Sequence, residues 1–263
     1  MKTNTIGFIG GGRITRIFLQ AFKNKSVNFD SVFVFDPNAE ILENLHIDFP
    51  QISKADMKKC AEQDLVILAV HPPVMMEILT NIRDLIHEDS IVLSLAPKFN
   101  VTKISEALST DKVIRMIPNA TSFINKGYNP VHFHGSFSED DKSEFMKLFN
   151  ILGDTFEVEE FKLEGYAIVS AMLPTYFWFQ WEKMEDIAVK TGLSPVEASE
   201  AVGQTVQFAQ ELFYKSNLDH EQVIDLIPVK PIGEHEEDIK SIYANKLMGL
   251  FEQIRSIPAA EAV

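Results

Sequence analysis

The residues of this chain best suited to chemistry lie near its start, in Gly7-Phe8-Ile9-Gly10-Gly11-Gly12-Arg13-Ile14-Thr15. Glycines between a short apolar run and a helix let the backbone bend sharply and approach a diphosphate group, whose charge is then met by free N–H groups and the positive helix end. The spacing matches Gly-x-Gly-x-x-[Gly/Ala] from Gly10, with Thr15 where the last small residue is expected. A tight strand–helix turn without a ligand would use the same glycines. The context, an apolar strand before and an amphipathic helix after, favours nucleotide binding, so Gly10, Gly11, Gly12, Arg13 and Ile14 are the first candidates to hold a dinucleotide. Asp36 follows, with Pro37 beside it, at the end of the run Phe33-Val34-Phe35. A carboxylate at that strand end accepts hydrogen bonds from an adenosine ribose and repels the extra phosphate of NADP, which favours NAD. The competing account makes Asp36 an Asx-turn residue before proline.

Other reactive side chains carry less. His132-x-His134 puts two imidazoles on one face of a strand but brings no third ligand, so no metal site is expected. The lone Cys60 excludes an internal disulfide and has no nucleophile motif around it. A formal charge of -14 without a Lys/Arg cluster argues against a nucleic-acid partner. No apolar run approaches the roughly 20 residues that a bilayer demands. We expect a cytoplasmic protein with no membrane contact.

The elements that must position these residues show in the texture of the chain. Short β-rich runs alternate with helix-period segments through the first half, the pattern of a parallel sheet with crossover helices. Strands are predicted at 5–9, 31–35, 64–70, 90–95 and 112–117, with two further extended runs at 129–133 and 154–158 around a helix at 138–152. Ile14, Ile17, Phe18, Ala21 and Phe22 share one face of the first helix and should pack on the sheet. From Leu163 onward the chain reads as long helices, broken at 192–195 and 228–233. The expected fold is α/β: an N-terminal Rossmann dinucleotide-binding domain over 1–160 and an all-α domain over 161–263. At 263 residues with 46% hydrophobic content, two cores of ordinary size are the natural reading.

Three runs, Gly7 to Thr15, Val66-Ile67-Leu68-Ala69-Val70-His71-Pro72 and Val113-Ile114-Arg115-Met116-Ile117-Pro118-Asn119, resemble in order and spacing those of pyrroline-5-carboxylate reductase. The resemblance continues through 165–184, where Ser170, Pro174, Tyr176 and Glu182 are kept. It adds Ala69, Val70, His71, Pro72 and Asn119 to the cofactor-binding set. It also implies hydride transfer from a nicotinamide cofactor to the C=N bond of a cyclic imine or a related small substrate. A homodimer or higher homo-oligomer formed through the C-terminal helices is implied as well. The apolar run Phe177, Trp178, Phe179 and Trp181 suits such an interface, or else packing within one chain.

Departures from that family concentrate in the substrate region. Its Ser-Gly-Ser-Gly-Pro-Ala-Tyr becomes Ser170-Ala171-Met172-Leu173-Pro174-Thr175-Tyr176, and its Ser-Pro-Gly-Gly-Thr-Thr is replaced around Val229–His235. The family's lysine before proline is His71, and its Ala-Gly loop is Ala96-Pro97-Lys98. Candidate catalytic residues are Lys98, Tyr176 and Lys230. Lys98 could pair with an anionic substrate or be a solvated loop residue. Tyr176 could donate to a substrate nitrogen or carboxylate, or pack among aromatic neighbours. Lys230 could replace the lost hydroxyl donors. Besides a reductase, a noncatalytic dinucleotide-binding protein and a reductase serving deazaflavin fit the same opening motif.

Overall fold

The computed structural model describes residues 4–135 and 137–255. Its centre is an eight-stranded sheet in the order β3-β2-β1-β4-β5-β6-β7-β8. The strands are β1 (Thr5–Ile9), β2 (Ser31–Phe35), β3 (Ser53–Lys54), β4 (Leu65–Leu68), β5 (Ile91–Ser94), β6 (Val113–Met116), β7 (Gly127–Phe133) and β8 (Gly153–Glu157). All neighbours pair in parallel except β6 and β7. Strands covered on both faces read as continuous apolar runs, and every residue of β4, β5 and β6 is buried. Alternate residues then feed opposite faces. Ile6, Phe8, Leu65 and Ile67 join one core cluster, whereas Ile9, Val66 and Leu68 join the other.

The first-half helices are α1 (Arg13–Asn24), α2 (Ala39–Asp48), α3 (Met57–Ala61), α4 (Met75–Ile82), α5 (Val101–Leu108) and α6 (Glu139–Phe149). On α1 the buried set is Thr15, Phe18, Leu19, Ala21 and Phe22, with Ile14 and Ile17 partly buried against the same core. The face is therefore broader than the five residues expected. The sequence reading missed β3, which is only two exposed residues long and has no apolar alternation to reveal it. Several strands are also shorter than predicted. Asp64, expected inside β4, instead uses its carboxylate to accept the N–H groups of Asn4 and Thr5 at 3.0 and 2.9 Å.

The described residues divide into two compact units, 4–171 with 251–255, and Met172–Leu250. The first closes with α7 (Leu163–Tyr166) and a π-helical turn over Ala167–Ala171. The second is helical: α8 (Leu173–Lys190), α9 (Pro195–Lys215), α10 (His220–Asp225) and most of α11 (Glu236–Ile254). Capping boxes start α9 at Ser194 with Glu197 and α10 at Asp219 with Gln222. Three acidic residues occupy the first turn of α11, where the helix dipole favours them.

Candidate functional site

The bend between β1 and α1 is built by three glycines with three different neighbourhoods. Gly10 has φ +107°, and a Cβ there would run into the Ala69 carbonyl oxygen of the adjacent strand end. Only glycine lets β1 and β4 approach this closely. Gly11 donates its N–H to Asp36 Oδ2 at 2.9 Å. Gly12 caps α1 without any side-chain hydrogen bond, and the first turn holds no acidic residue. No atom lies within 4 Å of where its Cβ would stand, so the helix start is open to an approaching anion.

Thr15 is fully buried and its hydroxyl donates to the Gly10 carbonyl at 2.6 Å. The departure from a small residue thus ties the helix back onto the bend. Asp36 serves two groups at once, since its Oδ1 also accepts from Asn38 N–H at 2.9 Å, an Asx turn. Asn38 in turn caps α2 by accepting from Glu40 N–H at 2.9 Å.

These elements border a cleft of about 540 Å³ at the carboxyl ends of β1, β2 and β4. Gly10, Gly12, Asp36 and Pro37 line one side, and Ala69, Val70 and His71 another. Ile41, Met57, Val74 and Ile78 make the walls apolar, and Glu77 in the first turn of α4 adds a second carboxylate. Gly11 and Arg13 line an adjoining depression of about 230 Å³ with Arg16, which is ion-paired to Asp48 at 3.0 Å. Open sheets of this kind bind ligands outside the carboxyl ends of their strands, where the strand order reverses.

The remaining sequence-predicted residues lie elsewhere. Ile14 packs against the core, and Pro72 opens a 3₁₀ turn over Pro72–Val74. Asn119 is buried and its amide is fully engaged: Nδ2 donates to the carbonyl and hydroxyl of Ser170 at 3.0 Å each, while Oδ1 accepts from Thr121 N–H and Oγ1. Lys98 is exposed on the turn after β5 with φ +73°. Tyr176 is half-buried in the first turns of α8, its ring 6.0 Å from that of Tyr243, and burial more than Tyr243 pushes its hydroxyl pKa up. Lys230 is exposed in the loop before α11. His132 Nδ1 pairs with the Val158 carbonyl at 2.9 Å and His134 lies 3.8 Å from Asp111. Among the described residues no three His, Cys, Asp or Glu side chains cluster as a metal site requires, and no helix is long and apolar enough to cross a membrane.

One constellation escaped the sequence reading. Arg115 in β6 is almost completely buried and pairs with Glu160 at 2.8 Å and Glu164 at 2.6 Å. Glu160 also accepts the Val101 N–H at the start of α5. The available signal was an arginine inside an apolar strand together with carboxylates spaced i, i+4 downstream.

A family model described as "NADP oxidoreductase coenzyme F420-dependent" matches residues 5–98, the segment that builds the cleft. Pyrroline-5-carboxylate reductase of Escherichia coli (strain K12) is 24% identical over 238 residues, covering 89% of this chain and 88% of the relative. That of Methanosarcina acetivorans is 23% identical over 245 residues, covering 92% and 90%.

Over most of its length the chain is similar to the pyrroline-5-carboxylate reductases. The solved pyrroline carboxylate reductase of Plasmodium falciparum, crystallised with NADP bound, superposes with a TM-score of 0.80 at 20% identity, covering 97% of this chain and 98% of that one. The Streptococcus pyogenes 1-pyrroline-5-carboxylate reductase gives 0.78 at 19% identity, with 96% and 98% covered. These likenesses show that the fold of the pyrroline-5-carboxylate reductases runs through both the sheet and the helical half.

Proposed function

We propose that the chain binds a nicotinamide dinucleotide, NADH in preference to NADPH, and reduces the C=N bond of a cyclic imine such as 1-pyrroline-5-carboxylate or a related small substrate. The observation that carries this reading is the cleft itself, where the uncapped start of α1 at Gly12 meets Asp36 and apolar walls. When bound, the reduced cofactor supplies a hydride from its nicotinamide C4. The chain's own work is to hold and orient. Amides of Gly12, Arg13 and Ile14 at the start of α1 take the diphosphate, while Gly10 and Gly11 shape the bend with their own amides given to Phe35 and Asp36, and Asp36 with Pro37 takes the adenosine ribose. Ala69, Val70, His71 and Pro72 line the path toward the nicotinamide. Asn119, with its amide committed to Ser170 and Thr121, acts by positioning rather than by touching cofactor. Lys98 offers an ammonium to an anionic substrate, with Tyr176 and Lys230 as further donors. The exposed apolar helices of the second unit fit a homodimer.

A second reading, a noncatalytic dinucleotide binder, is favoured by Ser170. Its hydroxyl is used within the fold, donating to the Tyr128 carbonyl and accepting from Asn119 at 3.0 Å each. Calorimetric titration with NADH, followed by a panel of cyclic imines while reduced-cofactor absorbance is monitored, separates the two. Oxidation of NADH with any imine supports the reductase, and binding without oxidation across the panel supports the second reading. Absence of heat with every pyridine nucleotide removes both.

A further inference from the structure

The cleft between Gly12 and α4 has an uneven charge. Asp36 stands on the wall formed by the end of β2, and Glu77 on the wall formed by the first turn of α4, with Val74 and Ile78 beside it. Neither lysine nor arginine is among the described residues lining this cleft, and His71 is its one basic side chain. Arg13 and Arg16 line the adjoining depression instead. We propose that Glu77 is a specificity-determining residue, a second carboxylate that disfavours dinucleotides bearing a phosphomonoester on the adenosine ribose. This rests on the reading of the cleft as the dinucleotide site.

A cleft of about 540 Å³ has a linear dimension of about 8 Å, less than the Debye length of about 10 Å at 0.1 M salt, so the charges lining it act on a bound phosphate incompletely screened. At about 8 Å in water, one carboxylate lowers the affinity of a dianionic phosphate about sixfold before salt screens it. Asp36 has an additional, local role, because its two oxygens receive the Gly11 and Asn38 amides. Glu77 is exposed and has no such structural duty in the bend, so its contribution is the charge alone. Discrimination thus comes from the summed field of two walls rather than from the strand-end acid by itself.

Dissociation constants for NADH and NADPH, measured by calorimetry on the wild type, Glu77→Gln and Asp36→Asn, test this. The NADPH-to-NADH ratio of dissociation constants should fall about sixfold in Glu77→Gln at low salt and about twofold at about 0.1 M salt. Raising salt from about 20 mM to about 500 mM should narrow the wild-type ratio and narrow that of Glu77→Gln less. A ratio unchanged by Glu77→Gln overturns the inference, as does a change that persists undiminished at high salt, which would mark altered cleft shape instead. A wild type that prefers NADPH also overturns it while leaving dinucleotide binding standing. A wild type that binds neither cofactor removes the site, and the inference falls with it.

Discussion

At the scale of the residue, the opening bend shows how a departure from a motif can be absorbed. Thr15 fills the position of a small residue because its hydroxyl has a partner in the Gly10 carbonyl. Thr15→Val keeps the shape and leaves that buried carbonyl without its donor, so urea denaturation should show a loss of about 1–2 kcal/mol. The glycine spacing and Asp36 were legible because both are local in sequence. Glu77 was not legible, since nothing in Met75–Ile82 distinguishes it from any solvated acid on an amphipathic helix until the fold places it on the lining of the same cleft as Asp36. Cys60, which has no nucleophile motif around it, is buried completely in α3. Burial, and secondarily Asp56, raises its thiol pKa to about 12 from an ordinary 9.0. A thiol whose folded pKa is raised contributes stability in full below the unfolded value. That contribution is lost as pH rises from 9 toward 12. Denaturation midpoints of wild type and Cys60→Ala followed across that window should converge as pH rises, and a constant difference would refute the assignment.

Elements are where sequence and structure agree best, for a physical reason. Strands buried on both faces, such as β4 and β5, cannot hide their apolar runs, and the helical second half shows as long helix-period stretches, with a break at 192–195 where Ser194 caps α9. Pairings between distant elements leave no such local trace. The Arg115 constellation links β6 to the turn and helix around Glu160 and Glu164, and through Glu160 to the first amide of α5. A guanidinium placed this deep needs the two carboxylates that face it. Arg115→Met should therefore destabilise the protein by about 3–5 kcal/mol, because two carboxylates lose their counter-charge. Glu164→Gln, which retains an acceptor, should cost about 1–3 kcal/mol. Equal midpoints for wild type and Arg115→Met in urea would show that the network does not hold these elements together.

For the whole molecule, the decisive quantity is apolar surface left uncovered. Helices α8, α9 and α11 run 18, 21 and 19 residues, yet α8 buries no residue, α9 only Ala198 and α11 only Ile254. Trp178 is 48% exposed and Phe179 64% exposed, so packing within one chain does not account for this aromatic run. Helices of this length draw most of their stability from a covered apolar face rather than from propensity, and so many exposed large apolar side chains on them point to an association surface. The covering surface that needs no further component is a second copy, related by a twofold axis so that the same helices meet their counterparts. Sedimentation of the wild type should give twice the 29.8 kDa of one chain, and its melting temperature should rise with protein concentration. Phe179→Asp places a charge on that surface and should shift the mass toward one chain while lowering the melting temperature. A wild type that sediments as a single chain at every concentration would refute the dimer.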